Sequence, residues 1–182
     1  LDDMPDRALE VFLSLSEIDD ETVDTHFALG SLYRRRGEVE RAIRVHQHIV
    51  DRTSLSPGTR DAALTELARD YFRAGLYDRA EELFLTLADS GREPALALSH
   101  LVRIYEIQHE WQQAADAHKR LRNVGVPEQP AAIAHFYCEM AELAIAAQDY
   151  PRAIEHLDSA TREQHDFGRS AILRGDLARR QG

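Results

Sequence analysis

The chain has 182 residues, of which 43% are hydrophobic and 30% charged, and its formal net charge is −10. This balance fits a folded soluble domain, excludes a disordered or fibrous chain, and argues against a nucleic-acid partner. A single cysteine, Cys138, excludes an internal disulfide or a cysteine-based zinc site and indicates a reducing compartment. No apolar run approaches the roughly 18 residues of a membrane span, so we expect no direct membrane contact.

The first 20 residues predict the second helix of a repeat whose first helix is missing. Ala8, Phe12 and Leu15 have the spacing of one apolar helix face. The chain opens on Leu1 rather than Met and stops at Gly182, inside a repeat. We therefore expect a piece of a longer protein, whose uncovered ends favour self-association because neighbouring repeats normally bury them.

Residues 64–87 contain the clearest copy of the repeated unit, two short amphipathic helices joined by a sharp turn. The string LTELARDYFRAGLYDRAEELFLTL places apolar residues at i, i+3, i+4 and i+7 on both sides of Gly75. Glycine enters the left-handed region without a Cβ penalty, so it ends the first helix and lets the chain turn. We refer to the two helices of each unit as helix A and helix B.

A small residue of helix B marks the register of four repeats, at Ala42, Ala80, Ala114 and Ala153. The spacings of 38, 34 and 39 residues indicate a 34-residue unit with short inserts. In the first two repeats, Leu, a small residue, Tyr, Gly and Ala follow the tetratricopeptide pattern. The fourth repeat is weaker because Gln148 stands at the turn glycine's position. We predict an all-α fold, a right-handed α-solenoid of tetratricopeptide helix-turn-helix repeats.

We expect one array across the whole chain. Gly175 and Gly182 fall at the small and turn positions of a fifth repeat. Ser56 and Pro57 predict a capped helix start after the first insert. The predicted array comprises a half repeat at 1–20, repeats at about 23–56, 61–94, 95–128 and 134–167, and the start of a further repeat at 168–182.

Signs of catalysis or metal binding are weak. Nine histidines are present without a metal-ligand spacing, and His109-Glu110 begins like a zinc-protease helix but lacks the second histidine. His135, Cys138 and Glu139 share one helical face, which is more typical of a groove lining than of a metal site. Nothing nearby marks an activated Cys138 thiolate, and no glycine-rich phosphate loop is present. We predict a non-enzyme with no cofactor or metal in these residues.

The predicted partner surface is the concave wall formed by helix A positions just outside the core stripe. It is basic in the first three repeats and acidic in the last two, where Asp176 belongs to the acidic set. We expect the basic part to hold an acidic or extended segment of a protein, since guanidinium groups pair bidentately with carboxylates. Alternatively, these arginines pair only with acids of their own helices, such as Glu66, Asp70 and Glu106. The predicted contact residues are Arg34, Arg35, Arg69, Arg73, Arg103, His135, Cys138, Glu139 and Glu142.

Three near-continuous strings carry a resemblance to a known family: GSLYRRRGEVERAIRVHQ (30–47), ELARDYFRAGLYDRAEELF (66–84) and AHFYCEMA (134–141). They resemble the bacterial lipopolysaccharide assembly protein B family, along essentially the whole chain. The resemblance implies a cytoplasmic tetratricopeptide domain at the bacterial inner membrane, between a membrane helix and a zinc-binding rubredoxin-like module that these residues do not include. It also implies an adaptor through which the membrane protease FtsH degrades the deacetylase that commits to lipid A synthesis.

Two other functional classes stay open at this point. Tetratricopeptide arrays also precede catalytic domains that attach N-acetylglucosamine, so an N-acetylglucosaminyltransferase-like enzyme with its catalytic domain elsewhere is one alternative. A co-chaperone that binds a charged C-terminus is the other, but the Lys and Asn groups of a carboxylate clamp are absent from helix A. An upstream membrane helix with downstream paired CxxC motifs would favour the adaptor, and a downstream sugar-nucleotide domain would favour the enzyme.

Overall fold

The computed structural model describes residue 11, residues 22–53 and residues 55–181, and in that part of the chain the regular structure is entirely helical. The predicted half repeat at 1–20, apart from residue 11, and the predicted turn position Gly182 lie outside the described residues. The helices are α1 (Val23–Arg36), α2 (Val39–Val50), α3 (Pro57–Arg73), α4 (Tyr77–Ser90), α5 (Pro94–Gln108), α6 (Trp111–Asn123), α7 (Pro130–Ala146), α8 (Tyr150–Glu163) and α9 (Gly168–Gln181).

The helices form two compact units, Leu1–Glu93 and Pro94–Gly182. In the first unit, α1 packs against α2 and α3 against α4, while α3 also contacts both α1 and α2. In the second unit, α5 packs against α6 and α7 against α8, while α7 also contacts α6 and α9 packs on α7 and α8. Each unit therefore stacks consecutive helix pairs, as the sequence predicts. The single array over 1–182 stays a prediction.

Side-chain caps fix two of the helix starts. The Ser56 hydroxyl oxygen accepts a hydrogen bond from the Thr59 backbone N–H at 3.1 Å, and Pro57 is the first residue of α3. The Asp149 carboxylate caps α8 in the same way, accepting from the Arg152 backbone N–H at 3.3 Å. The predicted cap at Ser56 is confirmed.

A left-handed residue ends helix A of all four described helix pairs. Gly37 has a φ of 81° and Gly75 a φ of 74°, as predicted. His109 and Gln148 occupy the same position in the next two pairs, with φ values of 60° and 59°. The turn geometry therefore belongs to the repeat, and it persists where the sequence supplies no glycine.

Each left-handed residue lies five positions before a fully buried alanine of helix B. Because alanine has the smallest side chain that still favours a helix, it lets the two helices of a pair approach closely. A larger residue there would overpack the pair, which typically costs about 1–3 kcal/mol. The four register alanines, each 0% exposed, are Ala42, Ala80, Ala114 and Ala153.

One glycine of helix A is needed for packing rather than for a turn. A Cβ on Gly30 would lie 2.4 Å from Nε2 of His46, whose ring is completely buried and contacts the buried Asp70 carboxylate. Gly175 occupies the matching repeat position in α9, but a Cβ there would have nothing within 4 Å. The same repeat position therefore has no room for a Cβ atom in the first repeat but has room for one in the last.

We expect Gly30→Ala to lower the free energy of unfolding by about 1–3 kcal/mol, because the added methyl group overpacks against the His46 ring. The matched variant Gly175→Ala should raise it by about 0.5–1 kcal/mol, since alanine is the better helix former and its methyl group meets nothing. Urea unfolding followed by circular dichroism measures both. Equal stabilisation by the two substitutions would contradict the packing of His46 on Gly30.

The turn position gives a second pair of opposite substitutions. Gly75→Val should lower stability by about 1–2 kcal/mol, because a β-branched residue is forced into the left-handed region. Gln148→Gly should raise it by about 0.5–1 kcal/mol, because it removes a Cβ from that same backbone conformation. Thermal melts of both variants test this, and an unchanged melting temperature for Gly75→Val would contradict the assigned register.

Candidate partner-binding site

The first unit contains a cavity of about 510 Å³ whose wall includes helix A residues of two successive repeats. This is the helix A surface on which the sequence predicts partner binding. Of the predicted contact residues, Arg69 lies on the cavity wall. The wall consists of Phe27, Ala28 and Ser31 from α1, Gly58, Asp61, Ala62, Thr65, Glu66 and Arg69 from α3, Leu87 from α4, and Arg92 and Glu93.

Arg34 contacts this wall but is turned into the fold, with its side chain only 16% exposed. Its Nη1 donates to Asp70 Oδ1 at 2.7 Å and to the Glu66 carbonyl oxygen at 3.1 Å, and its Nη2 donates to the Glu66 carboxylate. Burial lowers the pKa of the guanidinium group, but the hydrogen bonds and charges of Glu66 and Asp70 outweigh it and raise that pKa. Arg34 therefore links α1 to α3.

Asp70 is a buried carboxylate that joins three helices of the first unit. It lies on α3, accepts from Arg34 on α1, and contacts Nδ1 of His46 on α2. A buried carboxylate without such partners would be strongly destabilising, so these contacts position the helices that carry them. Arg34, which the sequence places on the binding wall, is thus engaged within the fold.

Glu66 forms ion pairs with two arginines. Besides its contact with Arg34, it accepts a hydrogen bond from Arg69 Nη1 at 2.6 Å. Burial raises the pKa of the Glu66 carboxyl group, but the hydrogen bond and charge of Arg34, with the charges of Arg69 and His46, lower it overall. The alternative in which these arginines pair with acids of their own helix therefore describes Arg69. Arg34 instead pairs with two acids on helix A of the next repeat.

Arg35 and Arg73 differ from these two. Each lies in the last turn of helix A, two residues before the left-handed glycine, and each is exposed. Within residues 22–53 and 55–181, neither forms an ion pair or a side-chain hydrogen bond. In the second unit, Arg103 of α5 is likewise exposed. The guanidinium groups of Arg35 and Arg73 remain accessible to a partner.

The second unit gathers three of the predicted residues around an arginine that the sequence analysis did not single out. Arg169 on α9 donates from Nη1 to Glu139 Oε1 at 2.7 Å and to His135 Nδ1 at 2.8 Å. Its Nη2 donates to Glu142 Oε1 at 2.8 Å. Burial lowers the pKa of Arg169, but Glu142 and Glu139 raise it overall. The repeat length could have identified Arg169 from the sequence, because Arg169 follows His135 by 34 residues and so occupies the matching position of the next repeat.

Cys138 does not reach the surface. It is 0% exposed, and burial, with the charges of Glu142 and Glu139, raises the pKa of its thiol against the opposing charge of Arg169. A buried thiol of raised pKa is neither a nucleophile nor a surface contact. This differs from the expectation that Cys138 shapes a binding groove: its side chain packs inside, whereas the side chains of His135 and Glu139 are 45% and 24% exposed.

Among the residues that the structure describes, no three His, Cys, Asp or Glu side chains are grouped so that they would hold a metal ion. Over the same ranges, every helix is too short or too polar to cross a membrane.

Comparison with known families supports the repeat assignment. Residues 25–60 match one tetratricopeptide repeat family model, and residues 65–133 and 138–182 match another. The chain is 40% identical over all 182 residues to lipopolysaccharide assembly protein B of Escherichia coli strain K12, and spans 47% of that protein. It is 34% identical to the Haemophilus influenzae protein of the same name over an alignment of 155 residues, which covers 78% of this chain and 38% of that protein. The predicted resemblance is confirmed, and the chain spans less than half the length of either relative.

Solved structures show the same fold at low identity. A tetratricopeptide repeat protein from Parabacteroides merdae superposes with a TM-score of 0.54 at 18% identity, covering 86% of this chain and 59% of the other. MamA from Desulfovibrio magneticus superposes with a TM-score of 0.52 at 13% identity, covering 90% of this chain and 96% of MamA. The predicted all-α tetratricopeptide solenoid class is confirmed.

The lowered pKa of Glu66 generates a prediction about acid stability. Since the folded-state pKa lies below the ordinary carboxylate value, the pairing stabilises the fold above that value, and this contribution is lost as the pH falls through the folded-state pKa. Glu66→Gln should lower the free energy of unfolding by about 1.5–3 kcal/mol at neutral pH and by less in acid. Urea unfolding between pH 7 and pH 3 measures the difference. The control Glu40→Gln changes an exposed glutamate of α2, and an equal effect of both variants would contradict the role of Glu66.

Proposed function

Because the chain belongs to the tetratricopeptide repeat family, we propose that it is a non-catalytic protein-interaction scaffold that serves lipopolysaccharide assembly. The observation that carries this proposal is the 40% identity to lipopolysaccharide assembly protein B over all 182 residues. Tetratricopeptide units bury their apolar faces on one another and leave their helix A surfaces for partners. The exposed arginines and the cavity of the first unit are surfaces of that kind.

The proposed partners are those that the family resemblance implies, the protease FtsH and the lipid A deacetylase, met on the cytoplasmic face of the bacterial inner membrane. The chain spans less than half the length of its curated relatives, so the complete adaptor role is proposed for the larger protein. These 182 residues would contribute the surface that holds a client. A scaffold of this kind acts by raising the local concentration of the client near the protease.

We assign the contact with an acidic client segment to Arg35 and Arg73 of the first unit. Arg34 and Arg69 are held by Glu66, so a client carboxylate would have to displace an acid that is already paired. Arg35 and Arg73 require no such exchange. Their planar guanidinium groups suit bidentate pairing with the carboxylates of a client.

The test measures the dissociation constants of the chain for the purified deacetylase and for the cytosolic part of FtsH by isothermal titration calorimetry. The double variant Arg35→Glu and Arg73→Glu should bind at least about tenfold more weakly, because charge reversal removes an attraction and adds a repulsion. Arg152→Glu is the control for a charge reversal elsewhere on the chain, since Arg152 is an exposed arginine of a helix B.

The absence of binding to both proteins by the unchanged chain would overturn the scaffold proposal. An unchanged dissociation constant in the double variant, with a native circular dichroism spectrum, would instead move the client site away from Arg35 and Arg73. Weakening by Arg152→Glu to the same extent would show that net charge, rather than this surface, determines binding.

A further inference from the structure

The cavity of the first unit has a partly apolar wall. Phe27, Ala28 and Ala62 give its helix A walls an apolar character, and Leu87 adds to it from α4. Both alanines are exposed although they are apolar. The volume of about 510 Å³ lies within the range of about 300–1,000 Å³ that ligand pockets occupy. It has room for a bulky apolar side chain.

The charges on the wall leave one acid unpaired. Arg69 is paired with Glu66 at 2.6 Å, and Arg92 Nε is paired with Asp61 Oδ2 at 3.2 Å. Both arginines of the wall are therefore neutralised by acids of the same wall. Glu93 is the remaining charged group, it is exposed, and it forms no ion pair or hydrogen bond with the other residues that the structure describes.

The backbone conformation of Glu93 is an independent indication that this residue belongs to a binding site. Its φ of 48° places it in the left-handed region, which residues with a Cβ adopt rarely. His109 and Gln148 share this conformation because they occupy the turn inside a repeat, whereas Glu93 lies in the connection after α4. Residues in sparsely populated backbone conformations cluster at binding sites, and here the left-handed backbone directs the chain along the rim of the cavity.

We propose that this cavity binds a protein segment that inserts one bulky apolar side chain between α1 and α3 and places an adjacent Lys or Arg against Glu93. The inference rests on the proposed scaffold function and names the chemistry of one part of its client. The apolar wall selects the anchor and the unpaired carboxylate selects the cation. This specificity is opposite in sign to that of Arg35 and Arg73.

The test uses two nine-residue peptides of Gly and Ser that differ only at the centre, where one carries Phe-Lys and the other Phe-Glu. Each is titrated into the isotopically labelled 182-residue chain, and amide chemical shifts are followed by nuclear magnetic resonance. We expect the Phe-Lys peptide to shift signals of the cavity wall and to bind about three- to fivefold more tightly than the Phe-Glu peptide, as one exposed ion pair allows.

Two variants separate the apolar and the charged parts of the proposal. Ala62→Phe should abolish binding of both peptides by filling the cavity, while Ala131→Phe, at an exposed alanine of α7, should leave binding unchanged. Glu93→Gln should retain binding but remove the preference for Phe-Lys. All three substitutions are at exposed positions, so the fold is expected to persist.

Equal binding of the two peptides by the unchanged chain, or an absence of shifts at the cavity wall, would overturn the proposal. If the cavity signals instead change on dilution of the chain alone, a second copy occupies the cavity and the proposal also fails. Because neither FtsH nor the deacetylase takes part, these outcomes are independent of the calorimetric test of the scaffold function.

Discussion

The close approach of helix A and helix B is the constraint on which every helix pair depends. It requires a fully buried alanine on helix B and, five residues earlier, a left-handed residue that turns the chain. Gly37 and Gly75 adopt that conformation at no steric cost, while His109 and Gln148 adopt it with a Cβ. The packing of the pair therefore dominates the local preference of the turn residue, since the strain at one residue is smaller than the loss of a whole helix interface.

Ion pairs are the second determinant of the structure, and in both units they join helices of successive repeats. In the first unit Asp70 draws Arg34 and His46 together from two other helices, and in the second unit Arg169 joins α9 to the acids of α7. Both clusters link helix A of one repeat to helix A of the next. A charged residue on helix A therefore has two possible roles, and only those left outside these clusters are available to a partner.

Most of the fold could be predicted from periodicity, because apolar spacing and the tetratricopeptide pattern depend on local sequence alone. The roles of individual side chains could not be predicted in this way, because the repeat register identifies the face of a helix on which a residue lies but not the residues that pack against that face. Arg34 is one position from Arg35, yet it turns inward because Asp70 replaces the apolar residue found at the same position in other repeats, such as Ile104 and Leu177. Cys138 shares a face with Glu139 but lies on its buried edge.

The first unit would present an apolar cavity and an exposed cation to a client at a defined separation. Arg73 lies eleven residues after Ala62 on α3, which corresponds to about 16 Å along a helix. An extended segment covers that distance with about five residues. The last turn of a helix also favours a cation, so Arg35 and Arg73 need no acidic partner within the fold. A client that fits both places would therefore carry an apolar-basic pair and an acidic group about five residues apart.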